Sequence, residues 1–223
     1  MSATPRATSC ICARVRPNPS LEQDLHREAA WRHPPSAQTS GITGDIVPSW
    51  PLISTPRLHL RPATMDDLTA MEVALADSRF PPDLPLARML RESKLSPWLQ
   101  RMTSAPSNPT LWAITTKSND TCIGTAALVE EKTPRTWWLS YWMSPTEWRK
   151  GLAREAVGAL LAGAARHPSY EQVVAAVARS NLPSIRLLEQ LEFTRISGVA
   201  TAQTNPEEHV TMHRWLRERG RDD

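Results

Sequence analysis

The stretch Trp148-Arg149-Lys150-Gly151-Leu152-Ala153-Arg154-Glu155-Ala156 places cationic side chains and small residues at the head of an apolar-striped segment. That combination can bind an anion. The first turn of a helix leaves backbone N–H groups without intrahelical partners, and with the positive end of the helix dipole they attract negative charge. A projecting side chain would obstruct a phosphate, so Gly151 and Ala153 matter for what they lack. Glycine also permits the positive φ by which successive N–H groups converge on one anion. Arg149 and Lys150 add charge beside the site. The stretch reads as a phosphate or pyrophosphate cradle, against the competing reading of a small-residue turn into a core helix.

The cradle needs elements to hold it. Ala153, Ala156, Val157, Leu160, Leu161 and Ala164 share one helical face, while Arg154, Glu155 and Arg166 lie off it and are expected to meet water. The preceding run from Thr136 to Ser144 is rich in aromatic residues, which favours a strand, and Pro145 ends it. Beyond the helix, Gln172 to Ala178 reads as a strand. Asn181 then caps a further helix, with Pro183 in its first turn and Ile185, Leu188 and Leu191 on its buried face.

This order resembles the acetyl-coenzyme A binding half of the GNAT N-acetyltransferase superfamily. Its six-residue turn has Gln, Arg or an aromatic first, Gly fourth, and Gly or Ala sixth; Trp148, Gly151 and Ala153 match it. Glu155-Ala156, the run from Asn181 to Phe193, and Thr55-Pro56-Arg57-Leu58-His59-Leu60-Arg61-Pro62 are similar to the branch containing ribosomal-protein N-terminal acetyltransferases. Two departures stand out. Arg149 sits where a second Gly is common, and Glu192 replaces the Gly of that branch's Leu-Gly-Phe, with an altered turn as the expected consequence.

The rest of the composition narrows the field. The 223 residues are 40% hydrophobic, enough for one good core. A formal charge of +3 from 26 basic and 23 acidic residues gives no phosphate-tracking stripe, so nucleic acid is not expected as a partner. Cys10, Cys12 and Cys122 form no framework of pairs and no zinc spacing, which suits a reducing, cytoplasmic setting. No apolar stretch approaches the roughly 18 residues of a membrane span. Walker-type and Gly-x-Gly-x-x-Gly loops are absent, which leaves nucleotide hydrolysis and dinucleotide redox chemistry without support.

Residues 1–51, dominated by Pro, Ser, Thr and Arg, read as a flexible extension, either an organelle transit peptide or the product of a start placed too far upstream. Residues 52–219 form the expected domain and 220–223 a tail. Alternation from Ile53 through Leu60 makes a first strand, and Thr64 to Asp67 has capping-box spacing before a helix carrying Leu68, Met71 and Leu75. A second helix is expected over about Leu86 to Gln100. Ser104 to Pro109 reads as a loop, Leu111 to Thr116 and Cys122 to Val129 as strands about the turn Ser118-Asn119-Asp120, and Glu208 to Leu216 as a last strand. The fold class is α/β (α+β): a mixed, mostly antiparallel twisted sheet with helices on both faces.

The resemblance also implies roles. Coenzyme would contact Tyr141, Trp142, Met143, Trp148, Arg149, Lys150, Gly151, Leu152, Ala153, Arg154 and Asn181, the Met143 N–H polarising the thioester carbonyl and Trp142 and Trp148 walling the acyl pocket. Many relatives carry a Glu where Trp138 stands and a Tyr where Leu188 stands, so both usual proton handlers are missing. Ser184 is the candidate acid. Glu130, with Glu131 beside it, is the nearest candidate base, although a solvated hairpin end accounts for adjacent carboxylates equally simply. No metal is assigned. The resulting expectation is an acetyl-CoA-dependent N-acetyltransferase, monomer or homodimer, whose acceptor is a small-molecule primary amine or a protein N-terminus. The alternative is a noncatalytic acyl-CoA-binding sensor or assembly module.

Overall fold

The computed structural model describes residues 52–104, 110–130, 135–166, 170–196 and 208–216. The expectations for residues 1–51 and 220–223, for Glu131, and for most of the loop after Ser104 fall outside these. Eight strands, β1 (Ile53–Ser54), β2 (Leu58–Pro62), β3 (Leu111–Thr116), β4 (Asn119–Glu130), β5 (Thr136–Met143), β6 (Gln172–Ala178), β7 (Thr194–Ile196) and β8 (His209–Trp215), form one sheet in the order β1-β2-β3-β4-β5-β6-β8-β7. Every pairing is antiparallel except β5 with β6.

Period-two alternation splits the core between the two faces of this sheet. Along β3, Trp112 and Ile114 point one way and Leu111 and Ala113 the other. The first face is covered by α4 (Leu152–Ala164) and α5 (Leu182–Gln190). The second is covered by α1 (Leu68–Leu75), α2 (Pro85–Arg91) and α3 (Leu95–Thr103). Helix α4 buries the stripe Ala153, Ala156, Val157, Leu160, Leu161 and Ala164, together with Leu152. Its larger aliphatic residues each contribute roughly 1.5–3 kcal/mol of transfer free energy, which anchors its first turn against the sheet.

Three local expectations need correction, and a fourth, at Glu192, is made specific. The first strand is two, because residues 55–57 turn the chain and β1 folds back on β2, with Ile53 opposite Leu60. The helix expected over Leu86 to Gln100 breaks into α2 and α3: Ser93 takes φ 55 and the Lys94 N–H donates back to Met89 O at 2.7 Å, closing the first helix before Leu95 restarts. Asn119 and Asp120 belong to β4, leaving Lys117 and Ser118 as the hairpin turn, and bulges around Thr115 absorb the shifted register. Glu192 alters its turn in residue type while the closure is kept. It adopts φ 65, Phe193 N–H donates to Leu188 O at 3.0 Å, and Glu192 N–H donates to Glu189 O at 3.1 Å, a complete Schellman closure of α5 built without glycine.

Candidate active site

Among the described residues, strands β5 and β6 pair over Thr136–Trp138 and Gln172–Val174, and the parallel ladder does not continue along β5 past Trp138. The sheet opens there. On its other side β5 stays paired with β4 as far as Met143, opposite Gly124. The Ser144 N–H donates to Ile123 O at 2.7 Å. By the alternation of an antiparallel ladder, the Met143 N–H therefore points away from β4 and into the opening. Gly124 permits this closeness: a Cβ on it would stand 2.4 Å from Trp142 O and 2.7 Å from Met143 Sδ. Any side chain at Gly124 would drive β4 away from the end of β5.

The chain then turns through Pro145–Glu147 into the cradle. The Trp148 indole Nε1–H donates to Met143 O at 2.8 Å, tying the turn to the strand end, and the ring packs against both halves of the core. Trp142 lies on the opposite face of β5, buried edge-on against Phe80, which also touches Trp148. Arg149 has φ 63 and Gly151 φ 75, two left-handed residues flanking Lys150, and α4 begins at Leu152 with no side-chain cap. The free N–H groups of its first turn thus remain available to a ligand.

This turn forms one wall of a cleft of about 380 Å³ lined by Met143, Trp148, Arg149, Gly151, Ala153 and Arg154 and, across from them, by α5. Helix α5 contributes Pro183, Arg186, Leu187 and Gln190, which recur at helical spacing on one face. That spacing was present in the sequence; what it lacked was any sign that the face looks onto the cradle. Arg154 Nη1 donates to Gln190 Oε1 at 3.3 Å across the cleft, and Lys150 Nζ to Glu147 Oε2 at 3.1 Å beside it. Three arginines against the single carboxylate of Glu147 give the cleft a positive lining, beside the open N–H groups of the turn.

Asn181 caps α5, its Oδ1 accepting from Ser184 N–H at 3.3 Å. Ser184 itself is fully buried, and its hydroxyl has no hydrogen-bond partner among the described residues. A buried hydroxyl left unpaired is costly, and a ligand, an ordered water or a catalytic role is among the explanations for one. Glu130 is not brought to the cleft. Its backbone pairs with Trp137, six residues before Met143 on β5, hence about 20 Å along the strand. Trp138, where many relatives carry a Glu, is buried against Val174 and Ala176. Tyr141 is buried on the α4 face of β5.

On the other side of the sheet a larger hollow of about 960 Å³ runs between α1, the start of β4 and the residues after β5. Ser144 and Thr146 line it just beyond the strand end, with Asp66, Asp77 and Asp120 around it. Arg61 spans its floor, bonded to Asp67 at 2.8 Å and Asp120 at 3.0 Å. Cys122 also lines it, its thiol hydrogen-bonded to Gly124 O at 3.1 Å and pushed up to about 12 by burial. Among the described residues no group of three His, Cys, Asp or Glu could hold a metal, and no helix is long and apolar enough to cross a membrane.

Residues 57–194, more than half of the chain, match the family model described as the acetyltransferase (GNAT) domain. The chain belongs to the GNAT acetyltransferases. Solved structures agree with the fold. A GNAT-family acetyltransferase from Bacillus anthracis superposes with a TM-score of 0.60 at 16% identity, over 74% of this chain and 98% of its own. RimL, a ribosomal L7/L12 α-N-protein acetyltransferase solved with coenzyme A, gives 0.63 at 15% over 74% and 98%. Mycobacterium smegmatis RimJ, solved with a CoA disulfide, gives 0.55 at 18% over 71% and 81%. RimL is a ribosomal-protein acetyltransferase, the branch that the sequence motifs resemble. No curated protein matches the sequence.

Proposed function

We propose that this GNAT protein transfers an acetyl group from acetyl-CoA to a primary amine by direct attack, without a covalent enzyme intermediate. The observation that carries the reading is the pair of left-handed residues, Arg149 and Gly151, opening the head of α4 onto a cleft that α5 closes with Arg186. An anion cradle beside an unpaired strand edge fits a ligand with a pyrophosphate at one end and an amide-bearing arm at the other. Acetyl-CoA, when bound, supplies the activated acetyl thioester. Arg149, Arg154, Arg186 and the N–H groups of the turn bind the pyrophosphate. The free edge of β5 orients the arm, and the Met143 N–H donates to the carbonyl oxygen as negative charge develops on it.

The acceptor enters from the hollow lined by Ser144 and Thr146, on the opposite side of the sheet from α4, and its carboxylate-rich rim suits a cationic amine. A protein N-terminus and a small-molecule amine both satisfy this chemistry. Ser184 Oγ–H, buried and unpaired, is the proposed donor of the proton that the departing thiolate takes up; the ammonium gives one proton to solvent before it attacks, and the proton the nitrogen sheds as the intermediate collapses restores the Ser184 hydroxyl. The direct assay is thiol release from acetyl-CoA over a panel of amines and N-terminal peptides. Acceptor-dependent release is expected, with Ser184→Ala lowering kcat by about 10²-fold and leaving the KM for acetyl-CoA nearly unchanged.

A second reading, a noncatalytic acyl-CoA-binding module, is favoured by the burial of Trp138 where a base would stand and by the remoteness of Glu130. Tight coenzyme binding without acceptor-dependent thiol release over the whole panel would select it.

A further inference from the structure

The corner between β1 and β2 is bound to the cradle across almost a hundred residues of sequence. Arg57 Nε donates to Glu155 Oε2 at 2.6 Å and the Arg57 backbone N–H to Glu155 Oε1 at 2.9 Å, while Thr55 Oγ1 donates to the same Oε1 at 2.6 Å. Glu155, in the first turn of α4, is thereby held by three donors, and its side chain is only 15% exposed. The other arm of the guanidinium reaches the cradle itself: Arg57 Nη1 donates to Lys150 O at 2.8 Å. Its Nη2 stands 3.6 Å from where a Cβ on Gly151 would be.

The consequence follows from peptide geometry. A trans peptide is planar, with its C=O and N–H directed oppositely. Pinning the Lys150 carbonyl on Arg57 therefore aims the Gly151 N–H away from Arg57, and Gly151 lines the cleft. That peptide joins Lys150 to the left-handed Gly151, one residue after the left-handed Arg149, so nothing in regular secondary structure fixes its orientation. Glycine on one side makes rotation of the peptide plane easy. An external clamp is required if the amide is to face an anion before the anion arrives, and such preorganisation lowers the cost of binding.

We infer that Arg57 is a positioning residue for the coenzyme: clamped by Glu155, it holds the Lys150–Gly151 peptide with its N–H turned into the cleft. The inference rests on the reading that the cleft takes the coenzyme pyrophosphate. It assigns to the first strand pair a task in coenzyme recognition, although Arg57 lies outside the turn and does not line the cleft.

The test uses the full chain as wild type, Arg57→Gln, Arg57→Lys and Glu155→Gln. Coenzyme A affinity is read by calorimetry, and pantetheine, which lacks the pyrophosphate, by NMR titration, which also follows the Gly151 amide resonance without ligand. Arg57→Gln is expected to weaken coenzyme A by about tenfold, leave pantetheine unchanged and move the ligand-free Gly151 amide. Arg57→Lys keeps the charge but loses the fork that spans Glu155 and Lys150, and is expected to behave nearly as badly. Glu155→Gln keeps the shape and is expected to lose less, in the same direction; it stands in if Arg57→Gln does not fold. Full rescue by Lys would reduce the effect to charge, and equal losses for coenzyme A and pantetheine would reduce it to packing; either overturns the inference. Wild-type affinity retained in Arg57→Gln overturns it alone, whereas no binding of coenzyme A by the wild type overturns it together with the proposed function.

Discussion

Among the turns that place a non-glycine residue in the left-handed region at the edge of a helix, those at Arg149 and Glu192 use it differently. Arg149, with φ 63, opens the entrance to α4; Glu192, with φ 65, closes the exit from α5. Each conformation costs about 1 kcal/mol that glycine would not incur. At Glu192 the backbone hydrogen bonds to Leu188 and Glu189 retain the residue, and Phe193 seals the turn into the core, so the conformation serves closure alone. Glu192 makes one exposed ion pair, to Arg214 at 2.7 Å, worth little in water. At Arg149 no Schellman closure exists; the turn leaves N–H groups unpaired and puts its charged side chain on the cleft. The same strain is a structural incident in one place and, under the proposed function, part of a binding surface in the other.

Substitutions should therefore separate the two turns. The largest effect is expected at Gly151, the glycine of the cradle: Gly151→Glu forces a side chain into positive φ and adds an anion beside the phosphates, and should weaken acetyl-CoA by more than about a hundredfold in a calorimetric titration. Next is Arg149→Gly. It relieves backbone strain yet removes a cleft charge, so affinity should fall by about three- to tenfold while Tm holds or rises. A loss of Tm with unchanged affinity would reverse the assignment of roles. Glu192→Gly should raise Tm by a few degrees and leave coenzyme affinity where it was. Any drop in affinity there would break the comparison.

The smallest effect is a pH dependence. Burial alone would raise the Glu155 carboxyl, but hydrogen bonds from Thr55 and Arg57 outweigh it and hold the group below its ordinary value of 4.5. A carboxylate depressed in the folded state contributes stability that is fully present above the unfolded value and is lost as pH falls through the folded one. The Tm difference between wild type and Glu155→Gln should therefore be present at neutral pH and close as pH drops below 4.5, followed by scanning calorimetry. A gap that persists unchanged into strong acid would show that the carboxylate charge contributes nothing.

What the sequence made legible was local. The stripe of α4, the strand β6, the cap at Asn181 and the small residues of the cradle are all written in spacings of a few residues, and the structure has them at those places. The break between α2 and α3 was hidden because Leu86, Ala87, Leu95 and Leu99 are all buried, and an apolar pattern does not record that Ser93 reverses the chain between them. Glu155 was expected to meet water, since its place on the helix wheel is polar; the partner that draws it inward, Arg57, is 98 residues away. Gly124 passed unremarked for a similar reason. Its need for a bare Cα is imposed by Trp142 and Met143 on the neighbouring strand. The missing Glu and Tyr of the family were visible at once, but which group would replace them depends on buried geometry that no spacing records: Ser184 is a buried hydroxyl without a described partner, and the Glu130 backbone pairs with Trp137, far along β5 from Met143.

The central claim is that the turn from Trp148 to Gly151 is a coenzyme cradle. Titrating acetyl-CoA into the full chain by calorimetry, with Gly151→Glu alongside, tests it most directly. Saturable binding by the wild type, lost in the variant, is the result the account predicts. No heat of binding from demonstrably folded wild-type protein, or equal affinity in both, would contradict it.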